Sequence, residues 1–248
     1  VLQRFFLPKP RFYLTYKEFF MKAAMGTIWS ISLWTVVATA GAVDDFSDIT
    51  YWVGSGANQA ALVIDWDGDD ATNHSLVWGF RWDGSATSED LLRAVVLGDP
   101  RLFAKISGPT SFGIGIFGIG YDLDGDTNFG ISDGTVFPAG GLVVADPDDT
   151  AVATDPGDLY REGFFSGFWN FGLSVGNPYS GGAWASAQTG VSGETLAHGD
   201  WNSLAFTVTF ADVFASHPQS AAVPETSTLI LVAGALTAVV ANRFRNRS

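Results

Sequence analysis

Two runs carry the strongest structural signal in the chain: Ala60-Ala61-Leu62-Val63-Ile64-Asp65 and Ser75-Leu76-Val77-Trp78-Gly79-Phe80-Arg81-Trp82. The first is continuously apolar, as in a strand covered on both faces. The second alternates, with Leu76, Trp78, Phe80 and Trp82 on one face and Val77, Gly79 and Arg81 on the other. Between them lies the carboxylate-rich Asp65-Trp66-Asp67-Gly68-Asp69-Asp70. The pattern predicts a hairpin across an acidic loop.

Downstream, Asp83-Gly84 turns the chain. Thr87-Ser88-Glu89-Asp90 then opens a helix near 87–97, with Thr87 as N-cap and Asp90 as the capping-box acid. Leu91, Leu92, Val95 and Val96 give its apolar stripe, and Gly98 ends it. Asp99-Pro100 predicts the start of a second short helix carrying Leu102 and Phe103. In 111–121, glycine alternates with Ile over part of a strand, leaving one face bare for another group to approach. Further strands are expected at 48–53, 135–137, 160–171, 183–190 and 203–210. The fold class is therefore α+β, mainly antiparallel β-sheet and sandwich-like, with one principal helix.

Composition narrows the function. The chain has 248 residues, 26 acidic and 13 basic, and most of the basic residues lie near the two ends. Residues 43–222 carry a net charge of about −19. Such a body repels phosphate backbones, which disfavours nucleic acid, and attracts divalent cations or cationic partners. Cysteine is absent, so no disulfide or thiolate metal site exists. His74, His198 and His217 are scattered, without zinc-ligand spacing. No Gly-x-Ser-x-Gly elbow is present, and Gly54-Ser55-Gly56 lacks the remainder of a phosphate cradle.

Asp122-x-Asp124-Gly125-Asp126-x-Asn128 is the sharpest chemical motif. Oxygen ligands two residues apart around a turn glycine suit a hard cation, calcium above all. The motif is similar to the start of an EF-hand loop. It has its glycine at the fourth position, and Asp133 is the only acid near its far end. The alternative is a solvated Asp/Gly turn. Asp65, Asp67, Asp69 and Asp70 form a weaker cation candidate, and the loop with Asp146, Asp148, Asp149, Asp155 and Asp158 a weaker one still. Trp66, Trp169 and Trp184 are candidates for a face that stacks on a flat ligand; the alternative is core packing.

Both ends read as targeting segments. Residues 1–20 are basic and aromatic and read as an over-extended start, with Met21 or Met25 the working one. Residues 21–42 read as a signal peptide, cleaved after Ala40 or Ala42. An uncleaved anchor is the alternative, against which stands an apolar stretch of only about 14 residues. A secreted β-rich domain follows over 43–215, then a polar linker over 216–222. The tail has Val223-Pro224-Glu225, Ser227-Thr228, an apolar run over 229–241 containing Gly234, and Arg243, Arg245 and Arg247. It resembles the PEP-CTERM sorting segment of exported bacterial surface proteins, with Thr226 where a second proline is usual. The physical alternative is a permanent anchor, although about 13 apolar residues are few for a span.

The resemblance implies export, a transient inner-membrane intermediate, processing by an exosortase, and delivery to the cell surface or beyond, where extracellular polysaccharide is a possible partner. Three functions fit: a non-catalytic binding or matrix component stabilised by calcium, a secreted polysaccharide hydrolase, and a receptor for a small flat ligand.

Overall fold

The computed structural model describes residues 41–68 and 74–223. A 3-10 turn (Phe46–Asp48) leads into β1 (Trp52–Gly54), β2 (Asn58–Asp65) and β3 (Ser75–Trp82). Helix α1 (Ser88–Gly98) follows, then β4 (Leu102–Ile106), β5 (Ile116–Tyr121), β6 (Leu142–Val144) and β7 (Leu159–Glu162). The chain closes with β8 (Phe168–Val175), β9 (Ala185–Ser186), β10 (Asp200–Thr207) and β11 (Gln219–Ser220).

Two sheets result. The larger runs β1-β3-β2-β10-β8-β9, with β11 also on β3; the smaller runs β6-β4-β5-β7. The hairpin pairs β2 with β3 from Asn58↔Trp82 to Asp65↔Ser75. The sheets are mixed: β1 and β11 on β3, β10 on β2, and β6 on β4 are parallel pairs. The α+β, β-rich class holds, with more parallel pairing than hairpins alone provide.

Alternation in β3 works as the sequence predicts. Trp78, Phe80 and Trp82 enter the main core with α1 and the small sheet. Val77 packs on the opposite face with Ala61, Val63 and Trp201. Helix α1 has the expected reciprocal capping box, Thr87 with Asp90, and buries Leu91, Leu92, Val95 and Val96.

The second helix does not form. Asp99 accepts the Arg101 N–H at 3.1 Å, a local turn that replaces a helix start. Its other carboxylate oxygen accepts the Trp78 indole N–H at 3.0 Å. Leu102, Ala104 and Ile106 then alternate into the core as β4, because pairing with β5 covers them better than one helical turn would. Residues 135–137 are likewise no strand; Phe137 packs on Phe103 and Phe129 instead.

The bare glycine face of β5 is filled from within the chain. A side chain at Gly120 would meet the Phe129 ring at 2.1 Å, and one at Gly118 the Tyr160 hydroxyl at 2.2 Å. The loop after β5 therefore folds back over its own strand. Behind it, Lys105 Nζ donates to Glu162 at 2.7 Å and to Asp133 at 2.9 Å.

The expected linker over 216–222 is a strap built into the large sheet. Ser216 donates its N–H and hydroxyl to buried Asp65, at 2.8 and 2.7 Å. Ala221 is fully buried, and Arg101 donates to the Ala222 carbonyl. The entry strand lies beside this strap: Ala42 bridges Gln219 in antiparallel sense, and the Val43 N–H donates to Pro218 at 2.9 Å. Residues 1–40, with Ala40, and residues 224–248, with Pro224, Glu225, Arg243, Arg245 and Arg247, lie outside the described residues, as do the two apolar stretches expected to be helices. No helix among the described residues is long and apolar enough to cross a membrane.

Candidate metal centre

The small sheet brings two acidic loops together. β5 pairs with β7 from Gly118↔Glu162 to Tyr121↔Leu159. Asp122 and Asp158 are the next residue on each strand, so two carboxylates flank one end of the ladder. Like charges placed this way across an antiparallel pair repel.

Backbone donors shape the first loop. Asp122 accepts from the N–H of Gly125 at 2.7 Å and of Thr127 at 3.0 Å, one on each oxygen. Asp124 accepts from Asp126 N–H at 3.1 Å, and Asp126 from Asn128 N–H at 2.8 Å. These bonds coil 122–128 into consecutive Asx turns, with Asp122 buried and Asp124, Asp126 and Asn128 exposed.

The second loop supplies Asp155 and Asp158. Ligand oxygens of Asp122, Asp124 and Asp158 lie within 4.8 Å of one another, as do those of Asp124, Asp126 and Asp155. Asp124 belongs to both groups. It reaches the second loop because residue 157 is glycine: a Cβ there would stand 2.5 Å from Asp124 Oδ2.

Asp158 is the anomaly. The residue is 8% exposed, and neither carboxylate oxygen has a hydrogen-bond partner. Burial, then the facing carboxylates of Asp122, Asp124 and Asp155, push its pKa up to about 6, against a weaker pull from the Leu123 N–H. That amide lies close, but outside hydrogen-bond geometry. At neutral pH the group is thus largely ionised and unsatisfied, which costs roughly 1–3 kcal/mol or more. Other buried side-chain atoms without partners, among the described residues, belong to neutral Trp and Ser groups.

Of the remaining acidic candidates, Asp65, Asp67, Asp148 and Asp149 are satisfied within the protein, and Asp146 is exposed. Asp65 binds the strap. Asp67 pairs with Arg161 at 2.9 Å and with His74, while Asp69 and Asp70 lie outside the described residues. Asp148 caps Thr150, and Asp149 accepts the N–H groups of Phe164, Phe165 and Ser166.

The tryptophans do not gather into a binding face. Trp66 is 1% exposed and donates its indole N–H to Ile119 at 3.0 Å. Trp169 packs edge-on against Trp66, at 6.4 Å between ring centroids. Both are core, as large apolar rings on inward strand faces tend to be. Trp184 is half-buried, beside Tyr179 on the other side of the large sheet. A surface cavity of about 490 Å³ is lined by Ser111, Phe112, Gly113, Gln188, Thr189 and Ser192, together with small neutral residues. It holds neither a tryptophan nor the carboxylate pair that sugar hydrolysis uses.

The 122–128 motif thus meets Asp155 and Asp158, which lie some thirty residues beyond it and which the sequence offers only as part of a separate, weaker cation candidate. Only the β5–β7 register carries them to Asp122. No protein-family model, curated protein or solved structure matches this chain.

Proposed function

We propose that this is an exported surface or matrix protein whose folded body is held briefly at a membrane by both flanking segments, then released by processing of its tail. One observation supports the reading best: the two ends of the body lie side by side. Ala42 and Gln219 bridge in antiparallel sense. Gly41 and residues 220–223, the described residues beyond the bridge, therefore run on in the same direction. A body built this way can fold completely while both flanks sit in one bilayer. Ends at opposite poles would require the membrane, or the body, to deform.

The body itself is read as a binding or structural module. With Trp66 and Trp169 in the core, the flat-ligand reading rests on Trp184 alone, and the hydrolase reading rests on no named acid pair. Extracellular polysaccharide stays the partner class suggested by the tail's resemblance. Replacing Pro224 and Glu225 with alanine tests the sorting reading. The double variant should accumulate in the membrane fraction at higher mass than the wild type. Equal distribution and mass would reject a processed tail.

A further inference from the structure

Three carboxylates converge where β5 leaves and β7 enters the small sheet. Two of them, Asp122 and Asp158, are buried, and no hydrogen-bond donor serves Asp158. Native proteins rarely leave a buried carboxylate without a partner unless a further group completes it. Water would satisfy the lone pairs but would not offset the mutual repulsion. A cation does both.

The donor set selects the ion. It is all oxygen and all carboxylate, with no His or Cys, which suits hard divalent cations and not zinc or copper. Calcium takes oxygen ligands at about 2.3–2.6 Å, so ligands on opposite sides of it stand about 4.6–5.2 Å apart. Oxygens of the three carboxylates all lie within 4.8 Å of one another, which that shell accommodates. Magnesium, at about 2.0–2.1 Å, needs ligands on opposite sides of it no more than about 4.2 Å apart, a tighter shell than calcium's. Asp124 is exposed, so water can fill the outer positions.

We propose that Asp122, Asp124 and Asp158 form a calcium site that clamps loop 122–128 to the entry of β7. The site differs from the one the local motif suggests. Asp126 and Asn128 both face solvent, and Asp155 is only half-buried, so none of them is a buried carboxylate without a partner. The ligand that matters most is Asp158, which the motif does not contain. The consequence reaches beyond the loop. Residues 129–137 run on from the clamp and cover the small sheet with Phe129 and Phe137, so the ion holds that cover in place.

The test is thermal unfolding and calorimetric titration of the full chain, in chelator, in 1 mM calcium and in 1 mM magnesium (about physiological levels). Calcium should raise the melting temperature clearly, and magnesium less. Asp158→Asn removes one buried charge. It should keep or raise the calcium-free melting temperature while losing at least tenfold in calcium affinity. Gly157→Ala removes no carboxylate but pushes that of Asp124 away, and should also weaken calcium binding several-fold. A melting temperature indifferent to calcium would overturn the site. So would an Asp158→Asn or Gly157→Ala chain that binds calcium as tightly as the wild type.

Discussion

Asp149 shows how one side chain can set a loop. Its carboxylate accepts three successive backbone N–H groups, from Phe164, Phe165 and Ser166, the last two at 2.8 Å. The loop so held leaves Phe164 and Phe165 exposed, at 50% and 71%. Partial burial alone would raise the Asp149 pKa; the three donors outweigh it and hold the pKa below the ordinary carboxylate value. A depressed carboxyl pKa stabilises the fold above the unfolded value, near 3.9, and the benefit disappears as pH falls through the lower, folded value. Asp149→Asn should therefore cost on the order of 1 kcal/mol at neutral pH, allowing for solvent screening. That is a drop of roughly 2–4 °C in melting temperature. The gap should close as pH falls below about 4. A gap independent of pH would mean that charge has no part in the loop's stability.

Among the elements, the strap over 216–222 differs most from its sequence reading. Ser, His, Pro and Gln look like a linker because nothing in them is periodic or apolar. The strap is held by polar bonds to distant residues. Ser216 binds Asp65, and the Ser220 hydroxyl receives the Thr50 N–H at 2.8 Å. Removing the strap would strip the buried Asp65 carboxylate of its two strap donors, each worth about 1.5–3 kcal/mol when the acceptor is charged. A chain ending at Ala215 should thus unfold at least about 5 °C below one ending at Val223. Equal melting temperatures would return the strap to the status of a linker. By contrast, β2, β3 and α1 are legible locally. Their signals are alternation and capping, which depend on neighbours three or four residues away. The turn at Asp99 is not legible, because Trp78 and Arg101 decide it. The same holds for the acidic site. Asp122, Asp124 and Asp126 announce oxygen ligands in sequence, whereas Asp158 joins them only through β-sheet register.

On the scale of the whole molecule, the body is a mixed-sheet module with its entry and exit strands paired. That pairing bears on the proposed signal-peptide cleavage, for which the sequence offers a cut after Ala40 or after Ala42. Val43 is fully buried and donates its N–H to Pro218, whereas Gly41 and Ala42 are exposed. Cleavage after Ala42 would put the new ammonium group on the buried Val43 nitrogen, a costly place for a charge. Cleavage after Ala40 leaves the charge in solvent on Gly41 and preserves the Ala42–Gln219 bridge. The most direct measurement is intact-mass and terminal-sequence analysis of the protein recovered from outside the producing cells. The account predicts a chain that begins at Gly41 and has lost the arginine-rich tail. A recovered chain that retains residues 1–40 or the tail through Arg247 would contradict it.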